Sequence, residues 1–222
     1  MSLDIKPGTT VAIIGPTAAG KTQLLNLLIG LLPPTSGRIN YDHRNINEYK
    51  RENLYKQVGL VFQDSVIFNI SVRENIAFNT EVTEKDLQKA IDTAELDEFI
   101  SNLPDGLDTV VSERGTSLSG GQKQRIMLAR ALAINPKILL LDDFTARVDT
   151  TTEKKILENI AKNYPGLTLV SVTQKIASIE HYDQIIVLME SEIVGNGTYT
   201  QLMDTSPEFV QIFNSQQSTN TL

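Results

Sequence analysis

Eight residues, Gly15-Pro16-Thr17-Ala18-Ala19-Gly20-Lys21-Thr22, constrain this chain more than any other feature. They follow Thr10 to Ile14 (TVAII), a β-branched run that reads as a buried parallel strand. After them Leu24, Leu27, Leu28 and Leu31 recur at i, i+3, i+4 and i+7. That spacing predicts a helix from Lys21 to Leu32, stopped by Pro33 and Pro34. A G-x-x-x-x-G-K-[ST] loop between a strand and a helix is a phosphate cradle. Its glycines turn backbone N–H groups inward, and the helix N-terminus adds partial positive charge. The expected ligand is a nucleoside triphosphate, ATP, with Lys21 reaching its β- and γ-phosphates. The Thr22 hydroxyl is expected on Mg²⁺, and Gln23 is grouped with the nucleotide-binding loop.

The rest of the chain supplies a scaffold for such a loop. Val58 to Phe62, Ile138 to Leu141, Leu167 to Val172 and Ile185 to Leu188 read as further strands. Helical faces run from Glu84 to Leu103 (Leu87, Ala90, Ile91, Ala94) and from Ser119 to Ala133, the latter ending at Asn135-Pro136. Alternation of strands and helices predicts an α/β fold with a mostly parallel sheet. The mainly helical stretch 64–131 interrupts it as an inserted lobe. Asp142, directly after an apolar strand, is expected at the carboxyl end of the sheet, holding Mg²⁺ through its water shell.

Composition narrows the function classes. The chain has 222 residues, room for one large domain or a domain with an insertion. Its net charge of −7 argues against nucleic acid as the main partner, because phosphate backbones demand clustered Lys and Arg. No cysteine occurs, which excludes disulfides, thiolate metal sites and cysteine nucleophiles. No apolar run reaches the roughly 18 residues of a membrane span, and MSLDIKPG does not read as a signal peptide.

Leu118-Ser119-Gly120-Gly121-Gln122, opening the Ser119–Ala133 helix, resembles the signature of ATP-binding cassette (ABC) proteins. Two glycines at a helix start expose N–H groups, and Ser119 can cap the helix or donate to phosphate. The resemblance implies a P-loop NTPase (RecA-like) core over 1–63 and 132–214, a helical signature subdomain over 64–131, and a flexible tail over 215–222. It implies that Ser119, Gly120, Gly121 and Gln122 complete the ATP site of an opposing cassette. Gln63 is similar to the family's Q-loop glutamine, which senses Mg²⁺ and couples to the transmembrane domain. Gln63 to Phe78 (QDSVIFNISVRENIAF) and Ser112-Glu113-Arg114-Gly115 resemble exporter cassettes, and Asp149 matches the D-loop aspartate. The implied partners are the transmembrane domain of an exporter, fused upstream or separate, and a second cassette. The implied location is the cytoplasmic face of the cell membrane.

Three positions depart from the family pattern. Asp143 stands where the catalytic glutamate is usual, and its carboxylate is set back by about 1.5 Å. Misplacement by about 1 Å can cost roughly 10²-fold in rate. Gln174, in VTQK, replaces the switch histidine; it can donate a neutral hydrogen bond to a γ-phosphate but cannot become cationic. Ala146-Arg147-Val148-Asp149 replaces a D-loop that usually reads SALD.

An intact signature beside a weakened site resembles one half of a heterodimeric exporter, with a different, competent cassette as partner. A slowly hydrolysing homodimer, a non-hydrolysing ATP clamp, and a soluble ABC protein of DNA repair or translation are the alternatives. The resemblance implies that the family's first strand and adenine-stacking aromatic belong upstream of Met1. His43 is read as solvated, His181 as lying beyond the switch region, and Arg125 and Arg130 as members of structural ion pairs.

Overall fold

The computed structural model describes residues 1–64, 66–78, 81–111 and 118–219. The chain divides into two compact units, Met1–Tyr55 with Thr168–Leu222, and Lys56–Leu167. In chain order the first unit opens with β1 (Thr10–Ile14), α1 (Lys21–Leu28), β2 (Asn40–Tyr41), β3 (Arg44–Asn45) and α2 (Arg51–Tyr55). The second unit holds β4 (Val58–Val61), β5 (Ile70–Ser71), α3 (Val72–Ile76), α4 (Glu84–Thr93) and α5 (Asp97–Ser101). It continues with β6 (Val110–Val111), α6 (Gly120–Ala133), β7 (Ile138–Asp142) and α7 (Thr150–Asn163). The chain then returns to the first unit through β8 (Thr168–Val172), β9 (Gln184–Met189), β10 (Glu192–Gly197), α8 (Tyr199–Thr205) and α9 (Pro207–Thr219).

In the first unit β1 lies between β8 and β9 and is parallel to both, with Ile13 opposite Val172 on one side and Ile186 on the other. Val11, Ala12 and Ile13 are fully buried, as an all-apolar central strand requires. The fold is therefore α/β with mostly parallel strands, as the alternation of elements predicts. β10 pairs antiparallel with β9 through a two-residue turn. Glu190 and Ser191 both take positive φ there, the geometry that matches strand twist. Its sequence, EIVGNG, hides it, since two glycines and an asparagine dilute the strand signal that an edge position tolerates.

The expected Lys21–Leu32 helix ends at Leu28. Gly30 takes a left-handed φ of 75°, and the N–H groups of Leu31 and Leu32 both turn back to Asn26 O. Leu31 is thereby 51% exposed and leaves the apolar face to which its spacing assigned it. The expected tail from Ser215 is also different, because α9 runs on to Thr219. Phe209, fully buried, joins Ala12, Ile14, Ile176, Ile179, Ile185 and Val187 in one cluster, with Ile212 and Phe213 packed against it. Burial of those side chains anchors a helix whose last turn is polar.

In the second unit β4 and β7 are parallel, with Val61 opposite Leu141. The helices expected for the lobe 64–131 group here with those strands. Gly59 explains the fit of helix on sheet: a Cβ there would stand 2.7 Å from Ala131 O of α6. The single helix expected over Glu84 to Leu103 divides into α4 and α5, because Glu95 adopts φ 55° and breaks the hydrogen-bond ladder.

Candidate nucleotide site

The first unit contributes the phosphate loop. Gly15, at φ 149°, brings the backbone so near β9 that a Cβ would meet Leu188 O at 2.0 Å. Gly20, at φ 94°, is the N-cap of α1 and offers no side-chain cap; the first turn carries no acidic residue. A helix start with neither a capping side chain nor a first-turn carboxylate suits an anion-binding terminus. Ala19 is buried and Ser191 N–H donates to its carbonyl at 3.1 Å, which ties the loop to the β9–β10 turn. Pro16, Thr17, Ala18, Thr22 and Gln23 are exposed.

Lys21 is buried, and its Nζ donates to Gly15 O at 2.8 Å and Pro16 O at 2.7 Å. Its ammonium is thus folded over the loop. Phosphate oxygens, carrying full charge, are better acceptors than these two carbonyls. The donors present fit a polyphosphate, and the Thr22 hydroxyl at the helix start offers an oxygen suited to Mg²⁺ carried by such phosphates.

Gln174 leaves the same edge. β8 runs parallel to β1, and Thr173 N–H donates to Ile13 O at 3.2 Å just past the last strand pair. The loop after β1 and the segment after β8 therefore both emerge at the carboxyl end of adjacent strands, the position ligands occupy in parallel sheets. Gln174 is exposed there. His181 is also exposed, five residues after Ile176, and His43 sits exposed in the β2–β3 turn.

The second unit repeats the logic. Gln63 follows β4, and Asp142 ends β7, so both leave the carboxyl end of a parallel pair. Asp142 is buried, and Asp143 follows it at φ 48°, a left-handed conformation that aspartate tolerates. Gln124 of α6 is buried and donates from Nε2 to Gln63 O at 2.9 Å, fixing the start of that loop to the signature helix. No periodicity distinguishes Gln124 from a solvated glutamine, so sequence reasoning missed it.

Ser119 caps α6. Its Oγ accepts from Gln122 N–H at 3.1 Å, while Gln122 Oε1 accepts from Ser119 N–H at 2.8 Å. This reciprocal box holds the signature in a defined helix start. Gly120 and Gly121 are needed because Arg147 lies against them: a Cβ would stand 3.1 Å from Arg147 Cδ at the first and 2.8 Å from Arg147 O at the second. Asp149 caps α7, its Oδ1 accepting from Thr152 N–H at 2.9 Å. That bond holds its carboxyl below the usual carboxylate range. Ser112, Glu113, Arg114 and Gly115 lie outside the described residues.

A model of the ABC transporter family matches residues 1–146. The chain belongs to the ABC transporter family. As a nucleotide-binding domain it is 42% identical over 97% of its length to an uncharacterized ABC transporter ATP-binding protein, YfiB, of Bacillus subtilis (strain 168). It is 37% identical over 97% of its length to an ATP-dependent lipid A-core flippase of Nitrosococcus oceani. The chain spans 38% and 36% of these two relatives. A bacterial Atm1-family ABC exporter solved with ATP bound matches at a TM-score of 0.92 and 34% identity, covering 97% of this chain and 38% of that one. No helix among the described residues is long and apolar enough to cross a membrane.

Two arginines of the cassette's signature helix behave differently from expectation. Among the described residues Arg130 binds neutral groups: Nε donates to Asn75 O at 2.6 Å and Nη2 to Asn75 Oδ1 at 2.9 Å. Its guanidinium also lies 5.2 Å from the Phe68 ring and 5.7 Å from the Phe78 ring, which stack on each other at 5.0 Å. Arg125 donates to Glu95 O, the carbonyl freed by the α4–α5 break. Burial pushes the guanidinium pKa of both down. Both are structural: Arg130 through carbonyls, an amide and rings, and Arg125 through the Glu95 carbonyl, with the carboxylates of Asp149, Glu95 and Glu98 acting on its charge.

Proposed function

We propose that this cassette is the ATP-binding motor domain of an ABC exporter and retains MgATP better than it cleaves it. ATP is held by Gly15 to Gln23. Thr22 and Asp142 supply oxygens toward Mg²⁺, with Gln63 sensing it. A Mg²⁺ ion held there would supply positive charge against the charge that develops on the phosphates. Asp143 is the residue that orients the attacking water, and Gln174 donates to the γ-phosphate. Its second partner is a different, competent cassette, to whose site this chain lends Ser119, Gly120, Gly121 and Gln122, with Asp149 nearby in the D-loop. The transmembrane domain of the exporter places the pair at the cytoplasmic face of the cell membrane.

One contrast carries the reading: the signature is held ready by the Ser119–Gln122 box, while the sequence has Asp143 and Gln174 at the two positions of hydrolytic chemistry. The shorter carboxylate of Asp143 weakens water activation, and Gln174 lacks a cationic state to stabilise charge leaving on the γ-phosphate. Neither change removes a binding contact to the α- and β-phosphates. Retention with slow cleavage follows.

The test is single-turnover ATP hydrolysis by the cassette and by its Asp143→Glu, Gln174→His double variant in the assembled transporter. The double variant is expected to hydrolyse about 10²-fold faster at similar ATP affinity. Fast hydrolysis by the unaltered cassette that survives Asp143→Ala would overturn the reading.

A further inference from the structure

The switch segment is held by a residue that belongs to none of the nucleotide motifs. Past β8, Gln174 is exposed while Ile176, two residues on, is buried in the cluster of Phe209, Ile185 and Val187. Ile176 opens a single 3₁₀ turn, Ile176–Ser178, whose N-cap Lys175 provides no side-chain acceptor. The acceptor comes from α9 instead. Gln216 Oε1 accepts from Ile176 N–H at 3.0 Å, and the same amide donates from Nε2 to Gln174 O. One rigid, planar group thus ties both ends of the segment from Gln174 to Ile176, from 40 residues further along the chain.

The packing of α9 does not need this amide. Phe209, Ile212 and Phe213 make its apolar contacts, and Gln216 follows the last of them in the helix. The amide acts on the segment itself. It restricts the backbone of an exposed residue at the carboxyl edge of β8, where a free loop would sample several φ/ψ wells.

We propose that Gln216 is a positioning residue for the γ-phosphate contact of Gln174. By holding the Gln174 carbonyl and the Ile176 amide together, it presets the direction in which Gln174 leaves the sheet edge. It thereby adds to the preference of this site for ATP over ADP. This rests on the reading of Gln174 as the γ-phosphate donor.

Amide hydrogen exchange and competitive binding of ATP and ADP on the full chain test it. Gln216→Met keeps the side-chain length and removes both bonds. Gln216→Glu keeps the acceptor for Ile176 N–H but turns a carboxylate toward the Gln174 carbonyl. Exchange at the Ile176 amide should rise about fivefold in Gln216→Met and stay protected in Gln216→Glu, as expected for one hydrogen bond. Both variants should lower the ATP-to-ADP affinity ratio about threefold while leaving ADP affinity unchanged. Gln174→Ala is the reference and should lower the ratio at least as far. Unchanged exchange in Gln216→Met, or equal losses for ATP and ADP, would overturn the proposal. A ratio that falls in Gln174→Ala but not in the Gln216 variants would leave the switch reading standing and remove Gln216 from it. A ratio unmoved by Gln174→Ala would remove the γ-phosphate reading itself, and the positioning role with it.

Discussion

At the scale of single residues, backbone geometry and one carboxylate set the measurable consequences. Gly15→Ala places a methyl group 2.0 Å from Leu188 O at φ 149°. It should destabilise the chain by about 2–4 kcal/mol and abolish nucleotide binding, as read by chemical denaturation and fluorescent-nucleotide titration. Asp183 gives a pH signature. Its carboxylate accepts from Thr10 N–H at 2.7 Å and from the Thr10 hydroxyl at 2.8 Å, where β1 begins. These bonds hold its pKa below the usual carboxylate range in the folded chain. The stability they bring is complete above the unfolded pKa, near 3.9, and disappears as pH falls through the lower folded value. The denaturation midpoint of the natural chain should therefore exceed that of Asp183→Asn at neutral pH. The gap should close progressively as pH falls through the acid range.

At the scale of elements, caps and one arginine decide which segments are ordered. Ser119→Ala removes the Oγ acceptor for Gln122 N–H and should cost about 1 kcal/mol. If Ser119 also serves a partner cassette, Ser119→Thr should restore stability, since threonine caps too, yet hydrolysis in the assembled pair should stay reduced because an added methyl crowds the contact. Arg130 holds the segment 66–78 through Asn75 and Val66 carbonyls and the Phe68–Phe78 stack. Arg130→Lys should lose about 1–3 kcal/mol despite keeping its charge, because a point ammonium cannot make the forked contact. Faster hydrogen exchange over 66–78, with α7 unaffected, is the expected pattern.

At the scale of the whole chain, stability and ligand binding should be linked. MgATP at a hundredfold excess over its Kd should add about 2.7 kcal/mol to unfolding stability. Most of that gain should vanish in Lys21→Met or when the metal is chelated, measured as the shift in thermal midpoint. Phe209→Ala should cost about 3–5 kcal/mol, because the side chain is fully buried among residues from β1, β9 and the switch segment. If Gln216 acts only after α9 is docked, Phe209→Ala should also raise exchange at Ile176.

Much of this was legible along the chain because local rules and tertiary context agree. TVAII, the G-x-x-x-x-G-K-T loop and ILLLD each announce a strand or cradle whose backbone demands are met by nearby residues. The sequence by itself determined the α/β class and carries the phosphate-loop and signature motifs, with Asp143 and Gln174 among its departures from the family pattern. Tertiary structure decided what depends on groups far apart in sequence. Leu31 follows the helical period yet is exposed, because Gly30 ends α1 first. Glu95 breaks a helix and offers Arg125 a carbonyl that no residue pattern reveals. Gln124 and Gln216 look like ordinary polar residues, and only folding brings their amides to the backbones of Gln63 and Gln174. A hydrogen bond to a main-chain group leaves no mark on the partner's side chain, so its sequence carries no trace of it.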